Sequence, residues 1–220
     1  MIETYPNAGA LADAAAHGIV AQLAEALRMR GRAALVATGG RSPGPVFDRL
    51  AASDAVDWSR VVVTLSDERC VDEADPASNA RQVRERLFQA RAAKAHLLPL
   101  WPPPAVEALT ALAPFDAVML GMGEDGHIAS LIPGDPGLQD GLATKDMLRS
   151  VPAGLGKPPV ARITLTLRAL LDARAIFLLI AGEAKRAVIE QALAGADLPV
   201  ARLLGQSKVP VRILWTPDGG

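Results

Sequence analysis

Apolar residues recur along this chain in two rhythms. Leu11, Ala15, Ile19, Leu23 and Leu27 fall three or four apart, a spacing that predicts a helix over residues 9–30 with Gly31 as its C-cap. Ala33–Ala37 is an unbroken apolar run and predicts a strand; Thr38-Gly39-Gly40-Arg41-Ser42-Pro43 stops it, and helical spacing resumes from Val46 to Ala52. The unit then returns. Val61–Leu65 is a β-branched run suited to a buried parallel strand, ended by Ser66-Asp67-Glu68-Arg69 and followed by a helix over roughly 77–93. A proline-rich connection at 99–104 leads to a short helix near 106–112 and a strand over 115–120, which Gly121–His127 interrupts. Residues 133–159, dense in Gly and Pro, predict a long surface excursion. Arg162–Leu167 alternates and predicts a half-buried strand; 175–181 is a further buried strand, 183–194 a helix and 211–215 a last strand.

Strand–helix alternation at this spacing predicts a three-layer, modified Rossmann-like α/β fold, a mostly parallel sheet with helices on both faces. No linker divides the pattern and no repeat appears, so residues 1–220 are expected to form a single domain.

Composition narrows the function classes. Half the residues are apolar and the formal net charge is −1, which gives no global attraction to nucleic acid or membranes; an anion site must be local. Cys70 is the single cysteine, so no intrachain disulfide or thiolate cluster can form. The N-terminal segment carries Glu3 and Asp13 in place of a basic region, and no apolar run approaches the ~20 residues of a membrane span. A cytoplasmic location and a monomer are expected.

In open α/β sheets ligands bind beyond the carboxyl ends of strands, where the polar breaks fall. Gly39, Gly40, Arg41 and Ser42 join a strand to a helix. Two glycines let the backbone present N–H groups, and the helix adds its positive end, an arrangement suited to phosphate or equally to an ordinary turn. Arg69 offers a guanidinium that can grip phosphate bidentately, or else a salt bridge to Asp67 or Glu68. Lys185 opposes a helix dipole at its start, a weak pointer to an anion. Gly121–Gly126 formally matches a dinucleotide fingerprint, but Glu124 and Asp125 would repel pyrophosphate and no acidic strand end follows, so that reading is rejected. His127 is the stronger clue. It stands at a strand end with Asp125 two residues back, and an imidazole titrates near neutrality, as a general base should. The three histidines are far apart and the lone cysteine has no partner, so no metal site is expected; no G-x-S-x-G elbow supports a serine nucleophile.

Taken together, ATGGRSPGPVFDRLA, WSRVVVTLSDERCVDEADPASNARQVRERLF, FDAVMLGMGEDGHIASLIPG and RITLTLRALLDARAIFLLIAGEAKRAVI resemble, in order, the motifs of the 6-phosphogluconolactonase family, a branch of the group that includes glucosamine-6-phosphate deaminases. The third is the most specific. The deaminases share the glycine loop and the Asp-Gly-His core but continue with Phe-Asn-Glu and carry Tyr after Asp-Glu. Here Ser130, Leu131 and Ile132 follow, and Arg69 stands in place of Tyr. Departures from the lactonase pattern are Arg41 in place of a hydroxyl residue, Gly44 in place of a basic one and Cys70 in place of Trp.

The resemblance implies hydrolysis of 6-phosphoglucono-δ-lactone without a cofactor. The phosphate would lie against the amides of Gly39–Ser42 with Arg69, Lys185 and Arg162. His127 would activate water, and Asp125 and Asp67 would orient the imidazole or the sugar hydroxyls. Two rival classes are an amino-sugar-phosphate isomerase or deaminase and a non-catalytic sugar-phosphate sensor, although no helix-turn-helix segment of the kind such sensors carry precedes residue 33.

Overall fold

A computed structural model describes residues 1–218. In chain order the elements are β1 (Ile2–Thr4), α1 (Ala8–Arg30), β2 (Ala33–Ala37), α2 (Pro43–Ala52), β3 (Val61–Leu65), β4 (Asp67–Arg69), α3 (Asn79–Arg86), β5 (His96–Leu97), α4 (Val106–Thr110), β6 (Ala117–Gly121), α5 (Leu138–Ala143), β7 (Leu148–Val151), β8 (Arg162–Leu165), α6 (Leu167–Leu170), β9 (Ile176–Ala181), α7 (Glu183–Leu193), α8 (Pro199–Leu204) and β10 (Val211–Thr216). Seven strands make one parallel sheet in the order β1-β10-β9-β6-β2-β3-β5.

Sequence explains this sheet well. Every residue of β2 is buried, as are the first five of β9, because helices cover both faces and leave no solvent side on which alternation could develop. α1 begins where the Asn7 side chain accepts from the Ala10 amide at 2.8 Å and ends where Gly31, at φ 70°, returns its N–H to the Leu27 carbonyl. α1 packs on α2 and on β2. Right-handed crossovers place α1, α2 and α3 on one face of the sheet and α7 and α8 on the other.

The topology also says where a ligand belongs. From β2 the chain crosses to β3 on one side, whereas from β6 it crosses to β9 on the other, and β2 and β6 are neighbours. Connections that leave adjacent strands in opposite directions open a crevice between them at their carboxyl ends. Register pairs Leu35 with Ala117 and Val36 with Val118, so the loops beginning at Thr38 and Met122 leave the same edge.

Several predicted elements are corrected. Arg162–Leu165 is not half-buried: all four residues are buried, and the chain turns into α6 at Leu167. The strand lies in a second, antiparallel sheet of order β4-β8-β7, with one flank against Asp67–Arg69 and the other against Leu148–Val151. Residues 133–159 therefore contribute α5 and β7 as well as loop. The helix expected over 77–93 stops at Arg86 and is followed by a 3-10 turn at Ala90–Lys94. β1, β4, β5 and α8 are too short to leave a periodic signal.

Candidate active site

A cavity of about 500 Å³ opens at the switch point. Thr38–Pro43 form one wall, Gly121–Glu124 with His127 and Ala129 another, and Asp67, Arg69, Asn79, Arg162, Lys157 and Lys185 complete it. All of the candidate residues taken from the sequence line it except Asp125, which stands directly behind His127.

The loop after β2 turns backbone amides and a hydroxyl toward open space. Gly40 sits at φ 109°, a conformation that favours glycine, and nothing within 4 Å would crowd a side chain there, so the backbone conformation is what selects the residue. Ser42 is helical in conformation and makes no capping bond, which leaves its hydroxyl free at the mouth of α2. Among the described residues, the amides of Gly39, Arg41 and Ser42 have no protein acceptor. The expectation that all four amides face a ligand needs one amendment: the Gly40 N–H is taken by the Gln82 side chain at 3.0 Å. Lys185, in the first turn of α7, has Glu124 and Arg41 as charged neighbours, and burial holds its ammonium below the usual lysine range.

Arg69 is not paired with either neighbouring acid. Its Nη1 donates to the Ala77 carbonyl at 2.6 Å, and its Nε is buried without a partner. Glu68 instead accepts from the backbone N–H groups of Arg69, Asn79 and Ala80, each at 2.7 Å, and from the Ser78 hydroxyl at 3.1 Å. A buried carboxylate thus fastens the start of α3 to β4, where the helix end favours negative charge.

The loop after β6 closes on itself through Gly123 N–H to His127 carbonyl (3.0 Å) and Gly126 N–H to Gly123 carbonyl (3.1 Å). It holds the imidazole against Asp125, whose Oδ1 lies 2.5 Å from Nδ1 and 3.2 Å from the His127 amide. The neighbouring imidazole, acting first through this hydrogen bond, keeps the Asp125 carboxyl below the usual aspartate range against the opposing effect of burial. A carboxylate on Nδ1 assigns the proton to that nitrogen and leaves Nε2, which has no partner among the described residues, with its lone pair available. The loop tolerates nothing larger at Gly123: a Cβ there would fall well inside contact with the imidazole and 2.5 Å from Asp125 Oδ1. Gly123→Ala is expected to keep the fold, since that clash is with a part-exposed pair, yet to lower kcat at least tenfold by displacing the ring. Steady-state kinetics beside a thermal melt would check both halves.

Asp67 does not touch His127. It is buried, accepts from Ser130 Oγ at 2.6 Å and Ser66 Oγ at 3.1 Å, and has Arg162 Nη1 at 3.9 Å. Arg162 is itself only 3% exposed, with Nη2 on the Pro158 carbonyl at 2.9 Å and Nη1 on Ser130 Oγ at 3.4 Å. Asp67, Ser130 and Arg162 therefore form one buried network under the cavity. Ala129, at φ 49°, is a non-glycine residue in the left-handed region beside it, a strain of the kind found at functional sites.

Sequence reading missed three contributors. Asn79 lies so close to Gly39 that any Cβ there would collide with its side chain, which explains that glycine. Lys157 enters from the β7–β8 connection, where no pattern marks it, and Gln82 looks like an ordinary helix residue. The space beside Gly44 is filled by the Arg86 guanidinium, ion-paired with Asp48, so a cation reaches this place from α3 instead. No group of three or more His, Cys, Asp or Glu side chains gathers as a metal would need, among the described residues. Among the described residues, no helix is long and apolar enough to cross a membrane.

An open parallel sheet whose switch-point crevice brings a histidine–aspartate pair beside a glycine loop and several cations has the frame of an α/β enzyme. The family is then unambiguous. The chain matches the model described as glucosamine-6-phosphate isomerases/6-phosphogluconolactonase over residues 6–215 and belongs to that family. It is 41% identical over 225 residues to a 6-phosphogluconolactonase of Caulobacter vibrioides, covering 97% of this chain and 96% of that one. A 6-phosphogluconolactonase of Pseudomonas putida is 37% identical, with 98% and 93% covered. The crystal structure of a 6-phosphogluconolactonase from Shewanella baltica superposes with a TM-score of 0.90 at 37% identity, over 98% of this chain and 97% of that one.

Proposed function

We propose that this protein hydrolyses 6-phosphoglucono-δ-lactone to 6-phosphogluconate, with His127 as general base and the whole chain acting as one unit. The observation that carries the reading is the Nδ1–Asp125 bond, which fixes the ring with Nε2 available in the same cavity as the free amides of Gly39, Arg41 and Ser42.

The phosphate binds to those amides, the Ser42 hydroxyl and the cations of Arg41, Lys185 and Arg69. Holding C6 converts binding energy into orientation at C1. Nε2 takes a proton from water as its oxygen attacks C1; the lactone carbonyl becomes a tetrahedral oxyanion. Collapse breaks the C1–O5 bond, and the imidazolium returns the proton to the departing ring oxygen. Asp125 stabilises the transient imidazolium, and the step needs no cofactor. Arg162, held by Pro158 and Ser130, keeps Asp67 in place beneath the sugar, and Asp67 accepts from its hydroxyls.

The deaminase alternative lacks a group. Ile132 stands where that branch has a carboxylate; it is buried and does not line the cavity. Acid release from freshly prepared lactone, followed above its spontaneous rate, is the direct assay. Acceleration is expected with no ammonia from glucosamine 6-phosphate; ammonia release with no lactone acceleration would replace this reading by the deaminase one.

The phosphate role has a pH signature. Lys185 titrates below the ordinary lysine range because burial penalises its charge. As pH rises the cation is lost earlier than from an ordinary lysine, so KM for the phosphorylated lactone should begin to climb below the pH at which a solvated lysine would titrate. Lys185→Arg, which cannot lose its proton there, should move the rise out of range. An unchanged KM–pH profile in the variant would remove Lys185 from the phosphate site.

A further inference from the structure

Three residues of α3 spaced i, i+3 and i+7 present one face to the loop after β2 and the first turn of α2: Asn79 against Gly39, Gln82 around Gly40 and Arg86 beside Gly44. The middle contact is of a special kind. The Gln82 carboxamide pairs with both polar groups of one residue, its Oε1 accepting from the Gly40 N–H at 3.0 Å and its Nε2 donating to the Gly40 carbonyl at 2.5 Å. A side-chain amide here does what a neighbouring strand would do. It fixes Gly40 at φ 109° and turns that one N–H away from the cavity.

We infer that Gln82 is a positioning residue for substrate binding: by clasping Gly40 it sets the direction of the Gly39, Arg41 and Ser42 amides toward the phosphate. The inference rests on the proposed reading of the loop as the phosphate site. A loop held at φ 109° by glycine alone pays the full entropy of choosing that conformation when the anion arrives; one already held there does not. The same helix is fastened to β4 by Glu68, through the Asn79 and Ala80 N–H groups, each at 2.7 Å, and the hydroxyl of its N-cap Ser78 at 3.1 Å. α3 is thus a brace with one end on Arg69 and one side on the glycine loop. It sets the spacing between the two halves of the phosphate site.

Gln82 is half-exposed, so its removal leaves no packing defect in the core. Gln82→Ala and the length-matched Gln82→Met are to be compared with the unsubstituted protein. The substrates are 6-phosphoglucono-δ-lactone and unphosphorylated glucono-δ-lactone, and inorganic phosphate serves as a competitive probe. For both variants KM for the phosphorylated lactone and the inhibition constant of phosphate should rise about tenfold, the scale of one or two net hydrogen bonds' worth of preorganisation, with the change falling on KM rather than kcat. The preference for the phosphorylated lactone should shrink by the same factor. A merely structural role would move kcat and both substrates together. Amide exchange supplies an independent readout: the Gly40 N–H should be protected in the unsubstituted protein and exchange faster in either variant.

If the variants keep their KM and phosphate inhibition while the unsubstituted protein prefers the phosphorylated lactone, the role of Gln82 is refuted and the phosphate site stands. If the unsubstituted protein shows neither preference nor inhibition, the phosphate reading itself is wrong and this inference falls with it. A freely exchanging Gly40 amide in the unsubstituted protein would overturn the clasp whatever the kinetics.

Discussion

His127→Ala should lower kcat for lactone hydrolysis by about two to four orders of magnitude, the usual contribution of a positioned general base, while KM changes little. The separation of effects follows from the site's division of labour. The imidazole lies on the loop after β6, and the groups proposed to bind the phosphate lie on the loop after β2, on β4 and on α7. Removing the ring leaves the second set in place, so substrate still docks and waits on uncatalysed water. Asp125→Asn should lower kcat by a smaller factor, because the ring remains but loses the carboxylate that holds the proton on Nδ1. Single-turnover kinetics would read both. Turnover by His127→Ala at the unsubstituted rate would transfer the base role to another group.

The largest stability effect is expected at Glu68. Its carboxylate satisfies three backbone N–H groups and one hydroxyl, all buried except the part-buried Arg69 N–H, and Glu68→Ala would leave each of them unpaired. At roughly 1–3 kcal/mol for each buried orphan, offset by local rearrangement and water entry, the net loss should be about 3–5 kcal/mol. For a chain of this size that corresponds to a fall of about 6–11 °C in Tm, readable by calorimetry. Glu68→Gln should lose less than Ala, since one amide oxygen still accepts. A Tm within a degree or two of the unsubstituted protein would mean that the start of α3 is held by other contacts.

Much of this molecule was legible from its sequence, for a physical reason. β2, β3, β6 and β9 are covered on both sides, so β2, β6 and β9 appear as apolar runs and β3 as one interrupted only by Thr64, and glycine and charge mark where each run leaves the sheet. The cavity opens at those same points, which is why Gly39–Ser42, Arg69, His127 and Lys185, candidates from the pattern, all line it. What stayed hidden depends on contacts between distant segments. β4 is three residues long and polar; only its pairing with Ile163 and its neighbours makes it a strand. Arg162–Leu165 alternates as though one face met water, yet Thr164 is wholly buried, its hydroxyl accepting from the Ser130 amide at 3.1 Å. A buried threonine with a partner is indistinguishable from an exposed one in a hydropathy pattern. Asp67 illustrates the same limit. Its place in a strand-end acidic cluster was visible, but its separation from His127 and its bond to Ser130 were not. Gln82 carried no signal at all, because a glutamine on a helix reads as solvated until the loop it clasps is brought beside it.

A crystal structure with 6-phosphogluconate bound would bear most directly on the claim that one molecule spans the cradle and the imidazole. The phosphate oxygens should accept from the Gly39, Arg41 and Ser42 amides and from Lys185, with the C1 carboxylate roughly 3–4 Å from His127 Nε2. A product whose phosphate avoids the glycine loop, or whose C1 lies on the far side of the cavity from His127, would contradict it.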